Sequence, residues 1–229
     1  MTTKPDLSPV SDADRAAEVA IRARIHEARG GDAIVGEEFG ASAGGGGRRW
    51  IVDPIDGTKN FVRRIPVWAS LIALERDGEM AVGVVSAPAL GRRWWAARGQ
   101  GAFADGDAIR VSAIGDLGDA MLSYDSWVGF ERWGLGEAAR VLERRCWRSR
   151  GLGDFWSHVL VAEGAVDVAL EPEVSLWDVA ALLVIAEEAG GRFTDALGRR
   201  TADGGSALST NGLVHDDVLA ILGAPSQPR

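Results

Sequence analysis

Cysteine is nearly absent: Cys146 is the single one among 229 residues, so no internal disulfide can form and no cluster of thiolates can hold zinc. It reads as a small core hydrophobe. Long apolar runs are missing as well. None reaches the ~18–20 residues that a membrane-spanning helix needs. The N-terminal MTTKPDLSPVSDADRA also lacks the apolar centre of a secretion signal. The expectation is a cytoplasmic protein with no membrane partner. Basic charge is in deficit, with 25 Lys+Arg against 33 Asp+Glu and a formal net charge of -8 at pH 7. Nucleic-acid binding needs a basic face that displaces phosphate counterions, so no nucleic-acid partner is expected, and the acidity suits a metal-loaded site. Internal repeats are absent, and low complexity is confined to the glycine-rich 41–47 and the tail APSQPR.

What is present is ordinary for a folded protein: 46% hydrophobic and 25% charged residues. The length allows one large domain or two lobes sharing a core. Ser11, with Asp14 three residues on, predicts a helix start, and Gly30-Gly31 its stop. The run AIVGEEFG then delivers Glu37 and Glu38 to a small, glycine-rich stretch, 41–47, which reads as a mobile loop before the strand RWIVD. From Val67 to Arg98, the segments VWASLIALE, MAVGVVSA and RRWWAAR, separated by turns at Asp77-Gly78 and Pro88, predict an antiparallel meander. A turn at Asp105-Gly106 extends it. Beyond about residue 118 strands and helices alternate: MLSYD, helices near 135–143 and 155–163, AVDVALE, an apolar helix over 176–189, RFTD, ALST and a last helix over 214–222.

The chemistry concentrates in IVDPIDGTKN. Pro54 fixes φ and Gly57 allows backbone angles that other residues avoid, so a turn at the strand end can bring Asp53 and Asp56 together. Two ionised carboxylates so held are favourable only around a cation, and an all-oxygen ligand set selects a hard divalent metal, Mg²⁺ or Mn²⁺. Backbone N–H groups of Gly57 and Thr58 then face an anion. At about 5% usage per residue type, a specified six-residue match has a chance of ~10⁻⁸ per position. The motif is therefore more than a solvated turn.

GEEF at 36–39, DPIDGTKNF at 53–61, LWDVAA at 176–181 and EEAGG at 187–191 occur in order. With this set the sequence resembles the inositol-monophosphatase-like family of Mg²⁺-dependent phosphatases over essentially its whole length. The resemblance implies an α+β fold, a layered αβαβα sandwich. It also implies an N-terminal α+β lobe (1–117) with the metal-binding loops and antiparallel sheet, and a C-terminal α/β lobe (118–229) with the specificity residues and the WD helix. Carried over, Glu37, Asp53, the carbonyl of Ile55, Asp56 and Asp178 hold two or three Mg²⁺ ions. Glu38 orients the attacking water. Asp12, from DLSPVSDAD, hydrogen-bonds Thr58, and this pair helps take the water's proton in a direct in-line hydrolysis. Asp178 also reads as a carboxylate favoured by the helix N-terminus it opens. The phosphoaspartate alternative has a D-x-D-x-T hallmark that this chain does not match, so no covalent phosphoenzyme is expected. Lithium inhibition and a homodimer are further implications of the likeness.

Specificity falls to Glu171, where inositol phosphatases place a glutamate against a sugar hydroxyl, and to Asp154, where they carry a small neutral residue. An added carboxylate suits a cationic leaving group, because a buried unpaired acid is costly. Asp154 also reads as the N-cap of FWSHVLVAEG. Several long segments, GLGDFWSHVLVAEGAVDVALEPEVSLWD among them, are similar to the histidinol-phosphate phosphatases of this superfamily in their actinobacterial form. The expected substrate is thus a small phosphorylated metabolite, histidinol phosphate, with inositol 1-phosphate or another small sugar or nucleotide phosphate as the alternative. Family members usually begin with a further long helix. Its lack would leave apolar surface uncovered and weaken a dimer, which keeps a non-catalytic Mg²⁺-binding protein as a second class. Trp94 and Trp95 read as one core and one outward residue. Arg63 and Arg64 stand where they could steer an anion, and His26 and His215 read as helix-surface residues.

Overall fold

Alternation of short hydrophobic strands with helices places this chain in a layered architecture, and a computed structural model describes residues 2–3, 9–10 and 12–223. In chain order the elements are β1 (Thr2–Thr3), β2 (Pro9–Val10), α1 (Asp12–Arg29), β3 (Ala33–Gly36), β4 (Gly40–Ser42), β5 (Arg48–Asp56) and α2 (Thr58–Val62). The meander follows as β6 (Ala69–Arg76), β7 (Glu79–Ala87), β8 (Arg92–Ala97), β9 (Ala102–Ala104) and β10 (Asp107–Ile109). The rest comprises β11 (Met121–Tyr124), α3 (Trp127–Arg132), α4 (Gly136–Arg145), β12 (Arg148–Arg150), α5 (Asp154–Ala162), β13 (Val168–Glu171), α6 (Leu176–Glu188), β14 (Arg192–Thr194), β15 (Ala207–Thr210) and α7 (His215–Leu222). The predicted N-cap Ser11 lies outside the described residues.

An eight-stranded sheet runs β10-β9-β8-β7-β6-β5-β3-β4, antiparallel except where β3 pairs parallel with β5. A five-stranded sheet runs β12-β11-β13-β15-β14, with β11 parallel to both its neighbours. Helix α1 packs on β5 at one face of the large sheet, while α6 lies against β6, β7 and β8 on the other and also touches β14 and β15. With α5 beside it, α6 forms the middle layer, so its residues Val179–Ala186 are all buried. A helix between two sheets must be apolar all round where it is enclosed, and the stretch VAALLVIA over 179–186 is. The second sheet's far face is covered by α3, α4 and α7 through Phe130, Leu142, Val218 and Leu222 against Leu122, Val168 and Leu208. The result is the αβαβα sandwich.

Part of the expected mobile loop is strand: Gly40–Ser42 pairs antiparallel with β3, and Ser42 Oγ sits 3.2 Å from the Ile34 nitrogen. Pairing with β3 satisfies backbone groups that composition alone suggested were solvated. Trp94 is buried with its Nε1–H donated to Glu163 at 2.7 Å, and Trp95 stacks on Phe103 at 4.2 Å. Cys146 is buried among apolar side chains, and burial first, then the Asp167 charge, pushes its thiol up to about 11. His26 is exposed as expected. His215 is not: it is fully buried between Thr194 Oγ1 (3.0 Å) and Thr210 Oγ1 (2.9 Å), and burial holds it down to about 4. Two threonines supply the hydrogen bonds that let an imidazole leave water. No helix among the described residues is long and apolar enough to cross a membrane.

Candidate active site

Side chains alternate faces along a strand, so Asp53 and Asp56, three apart, would point to opposite sides of a regular β5. They do not, because β5 is irregular there. Asp53 pairs with Leu71 and Asp56 with Ala69, so three steps on β5 oppose two on β6. The extra residue is a bulge that restores both carboxylates to one side. Pro54 has no N–H to lose from the ladder, and its carbonyl accepts from Ser70 Oγ at 2.6 Å. The expected device was a turn past the strand end; the actual one lies within the strand. Asp178, from the first turn of α6, completes the group: carboxylate oxygens of Asp53, Asp56 and Asp178 lie within 4.8 Å of one another.

These acids are buried, Asp53 to 1% exposure and Asp56 to 8%. Burial, then the charges of Asp56, Glu37 and Asp178, pushes Asp53 well above the usual carboxylate range. Asp56 is raised well above it too, by burial first and then by Asp154 and Asp178. Glu37, just past β3, thus belongs to the same cluster. Asp53 Oδ1 has no hydrogen-bond partner among the described residues. Such a set fits a hard divalent cation, which would satisfy the orphaned oxygen and let the acids ionise together. Asp178 accepts from the Ser175 N–H at 2.7 Å, so it caps α6 and joins the cluster at once.

Thr58 follows Gly57, whose φ of +77° only a glycine adopts without strain. The Thr58 hydroxyl lies 2.9 Å from the Ile55 carbonyl and 3.4 Å from Asp14 Oδ1. This corrects the expected Asp12 partner. Asp12 is exposed, and Asp14, two residues along α1 and so about 200° around it, is 1% exposed and faces inward. On the same inward face, Glu18 accepts from the backbone N–H of Glu38 at 2.7 Å and of Phe39 at 3.3 Å. Arg22 Nε donates to Glu18 at 2.7 Å, and Arg22 also grips the Gly40 carbonyl. A Cβ at Gly36 would lie 2.0 Å from Glu18 Oε1, so any side chain there would displace this carboxylate. The side chain of Glu38 is buried, 3.9 Å from Arg15.

A second group of acids adjoins the first. Asp154 opens α5 at φ +50°, a conformation rare for a non-glycine residue. It is not the N-cap that the sequence allowed. The Phe155 N–H instead donates to Asp56 Oδ2 at 2.7 Å, so an acid from β5 caps α5. Asp154 accepts from Asn60 Nδ2 at 3.2 Å and is raised to about 6 by burial and by Asp125, against the lowering charge of Lys59. Glu171, 7% exposed at the end of β13, is pushed well up by burial and by Asp154, Asp56, Asp125 and Asp178. Asp125, Lys59, Asn60 and Glu18 were missed in the sequence. Only Glu18 left a signal there, an acid four residues from Asp14 on the face of α1 that also carries Ile25. Arg63 and Arg64 are exposed.

The sequence profile of the inositol monophosphatase family matches residues 2–224. The chain belongs to that family. It is a phosphoric monoester hydrolase, and the family is magnesium-dependent. A histidinol-phosphatase of Mycobacterium tuberculosis is 58% identical over 227 residues, covering 97% of this chain and 87% of that one. One from Streptomyces coelicolor is 50% identical over 229 residues, covering 96% and 86%. Among solved structures, an inositol monophosphatase (IMPase) of Thermotoga maritima superposes with a TM-score of 0.87 at 36% identity, covering 96% of this chain and 85% of that one.

Proposed function

We propose that this enzyme hydrolyses histidinol phosphate to histidinol and phosphate, with Glu37, Asp53, the Ile55 carbonyl, Asp56 and Asp178 holding two or three Mg²⁺ ions. The observation that carries the reading is the second group of acids. Three carboxylates, Asp125, Asp154 and Glu171, stand beside the metal cluster with Lys59 as the cation acting on Asp154. A neutral sugar leaves such acids uncompensated, whereas an ammonium or imidazolium offsets their desolvation. The likeness to two histidinol-phosphatases at 58% and 50% identity supports the same choice.

Magnesium, when bound, supplies positive charge against the phosphoryl oxygens and the leaving group. The protein's own groups do the rest. Thr58 Oγ1 relays a proton from the attacking water toward Asp14 Oδ1, from which it is 3.4 Å away. Glu38 orients that water, its backbone fixed through Glu18. Backbone N–H groups of Gly57 and Thr58 face the phosphate. The water attacks phosphorus in line, the P–O ester bond breaks, and the departing oxygen takes a proton from solvent to give histidinol, while Asp14 returns the proton it received to solvent.

The test is phosphate release with and without Mg²⁺ on histidinol phosphate, inositol 1-phosphate, fructose 1,6-bisphosphate and adenosine 3′,5′-bisphosphate. Highest kcat/KM on histidinol phosphate, abolished by chelation, is the expected result. A preference for inositol 1-phosphate would overturn the substrate assignment, and Mg²⁺ binding without any turnover would overturn the enzymatic one.

A further inference from the structure

Two buried polar atoms beside the second group of acids face each other without bonding. His158, on α5, is 1% exposed and Glu171 7%; His158 Nε2 and Glu171 Oε1 stand 3.8 Å apart. Neither atom has a hydrogen-bond partner among the described residues. The separation is too long for a hydrogen bond and too short for a bridging water, because two bonds of ~2.8 Å meeting at one oxygen span about 4.5 Å. A direct bond, closed by a small torsion of the Glu171 side chain, satisfies both atoms at once. Contacts in ligand-binding sites often tighten in this way only when the ligand arrives.

The other ring nitrogen is already engaged. His158 Nδ1 lies 2.7 Å from the buried Ser209 hydroxyl on β15. If Ser209 donates there, the ring's single proton sits on Nε2, aimed at Glu171. Burial lowers the imidazole to about 4, so the ring is neutral and carries one N–H. Phe193 packs 6.1 Å away, centroid to centroid, and limits the ring's freedom to turn.

We infer that His158 is a positioning residue: its Nε2–H, with Ser209 holding Nδ1, aims the Glu171 carboxylate at the cationic end of the substrate. The inference rests on the proposed function only for the identity of that substrate. Unaided, Glu171 has three side-chain torsions to fix, and a carboxylate that wanders would contact the cation with lower occupancy. His158 is itself too enclosed to be a catalytic residue. It acts through Glu171.

Long-range ¹H–¹⁵N spectra of the wild-type protein give a direct test, since only His26, His158 and His215 contribute. The expected result is a His158 ring protonated at Nε2, whose signal moves in Glu171→Gln. A ring protonated at Nδ1 overturns the inference. Kinetics supply the second arm, with His158→Met and His158→Gln assayed on histidinol phosphate and on p-nitrophenyl phosphate, which has no cation. In the Met variant KM for histidinol phosphate should rise about tenfold, with kcat on both esters within about twofold of wild type, and Gln should recover most of the loss. Equal losses on both esters, or no rescue by Gln, would refute it. Should wild type not distinguish the two esters, the substrate reading fails alone and the tautomer still decides the role of His158.

Discussion

Replacing Asp53 by Asn should stabilise the metal-free enzyme while destroying its function. The reason is geometric. Asp53 is 1% exposed, and its oxygens lie within 4.8 Å of those of Asp56 and Asp178. Two ionised carboxylates at 4.8 Å repel by ~3.5 kcal/mol at an effective dielectric of about 20. The empty site avoids part of this by keeping protons on Asp53 and Asp56, both raised well above the usual range. The unfolded chain releases those protons in the ordinary carboxylate range. Stability without metal therefore falls as pH rises above that range, because the folded state binds more protons than the unfolded one. An amide removes one of the offending charges, and such relief at functional sites typically contributes about 0.5–2 kcal/mol. For a chain of this size that is an upward shift of roughly 1–8 °C in Tm. Wild type at 100 Kd of Mg²⁺ gains about 2.7 kcal/mol, roughly 5–11 °C. Scanning calorimetry with chelator and with Mg²⁺, at pH 5.5 and 8, reads all of this. The Mg²⁺ shift should be larger at pH 8, and Asp53→Asn should start higher and lose most of the shift. A variant less stable than wild type in chelator, with its Mg²⁺ response intact, would refute the reasoning.

Asp14→Asn should lower kcat about 10²–10⁴-fold, the usual worth of a lost proton acceptor, whereas Asp12→Asn should leave it within about twofold; steady-state phosphate release compares them. Asp154→Asn should raise KM for histidinol phosphate more than for inositol 1-phosphate, and equal changes on the two esters would remove Asp154 from specificity. Glu18→Ala orphans the N–H groups of Glu38 and Phe39 and frees the loop behind Glu37, so Mg²⁺ affinity by titration calorimetry should fall about 10–100-fold, with some loss of Tm.

The acidic cluster was legible because its chemistry is written in adjacent letters: DPIDGT, GEE and LWD each combine an acid with the backbone residues that place it. Helix α1 was legible from its start and stop signals, α6 from its uniform apolarity, and the meander from its turns. What failed was long-range facing. Asp12 and Asp14 are equivalent acids in one segment, and only the rotation of α1 against β5 makes Asp14 the one that meets Thr58. Asp154 looked like a cap for its own helix, yet Asp56, 99 residues before Phe155 in the chain, performs that task. His215 looked like a surface residue because nothing local reports the two threonines that enclose it.

By itself, then, the sequence determined which residues could bind a divalent cation, since ligand chemistry and the φ demands of Pro54 and Gly57 are local properties. The tertiary structure decided which of these acids share a space, through a bulge in β5, the facing of α1 and the docking of α5 on Asp56. It alone assembled the second group of acids, because Lys59, Asp125, Asp154 and Glu171 come from four separate segments. Their mutual burial, and so the charge they ask of a ligand, arises only when the layers pack.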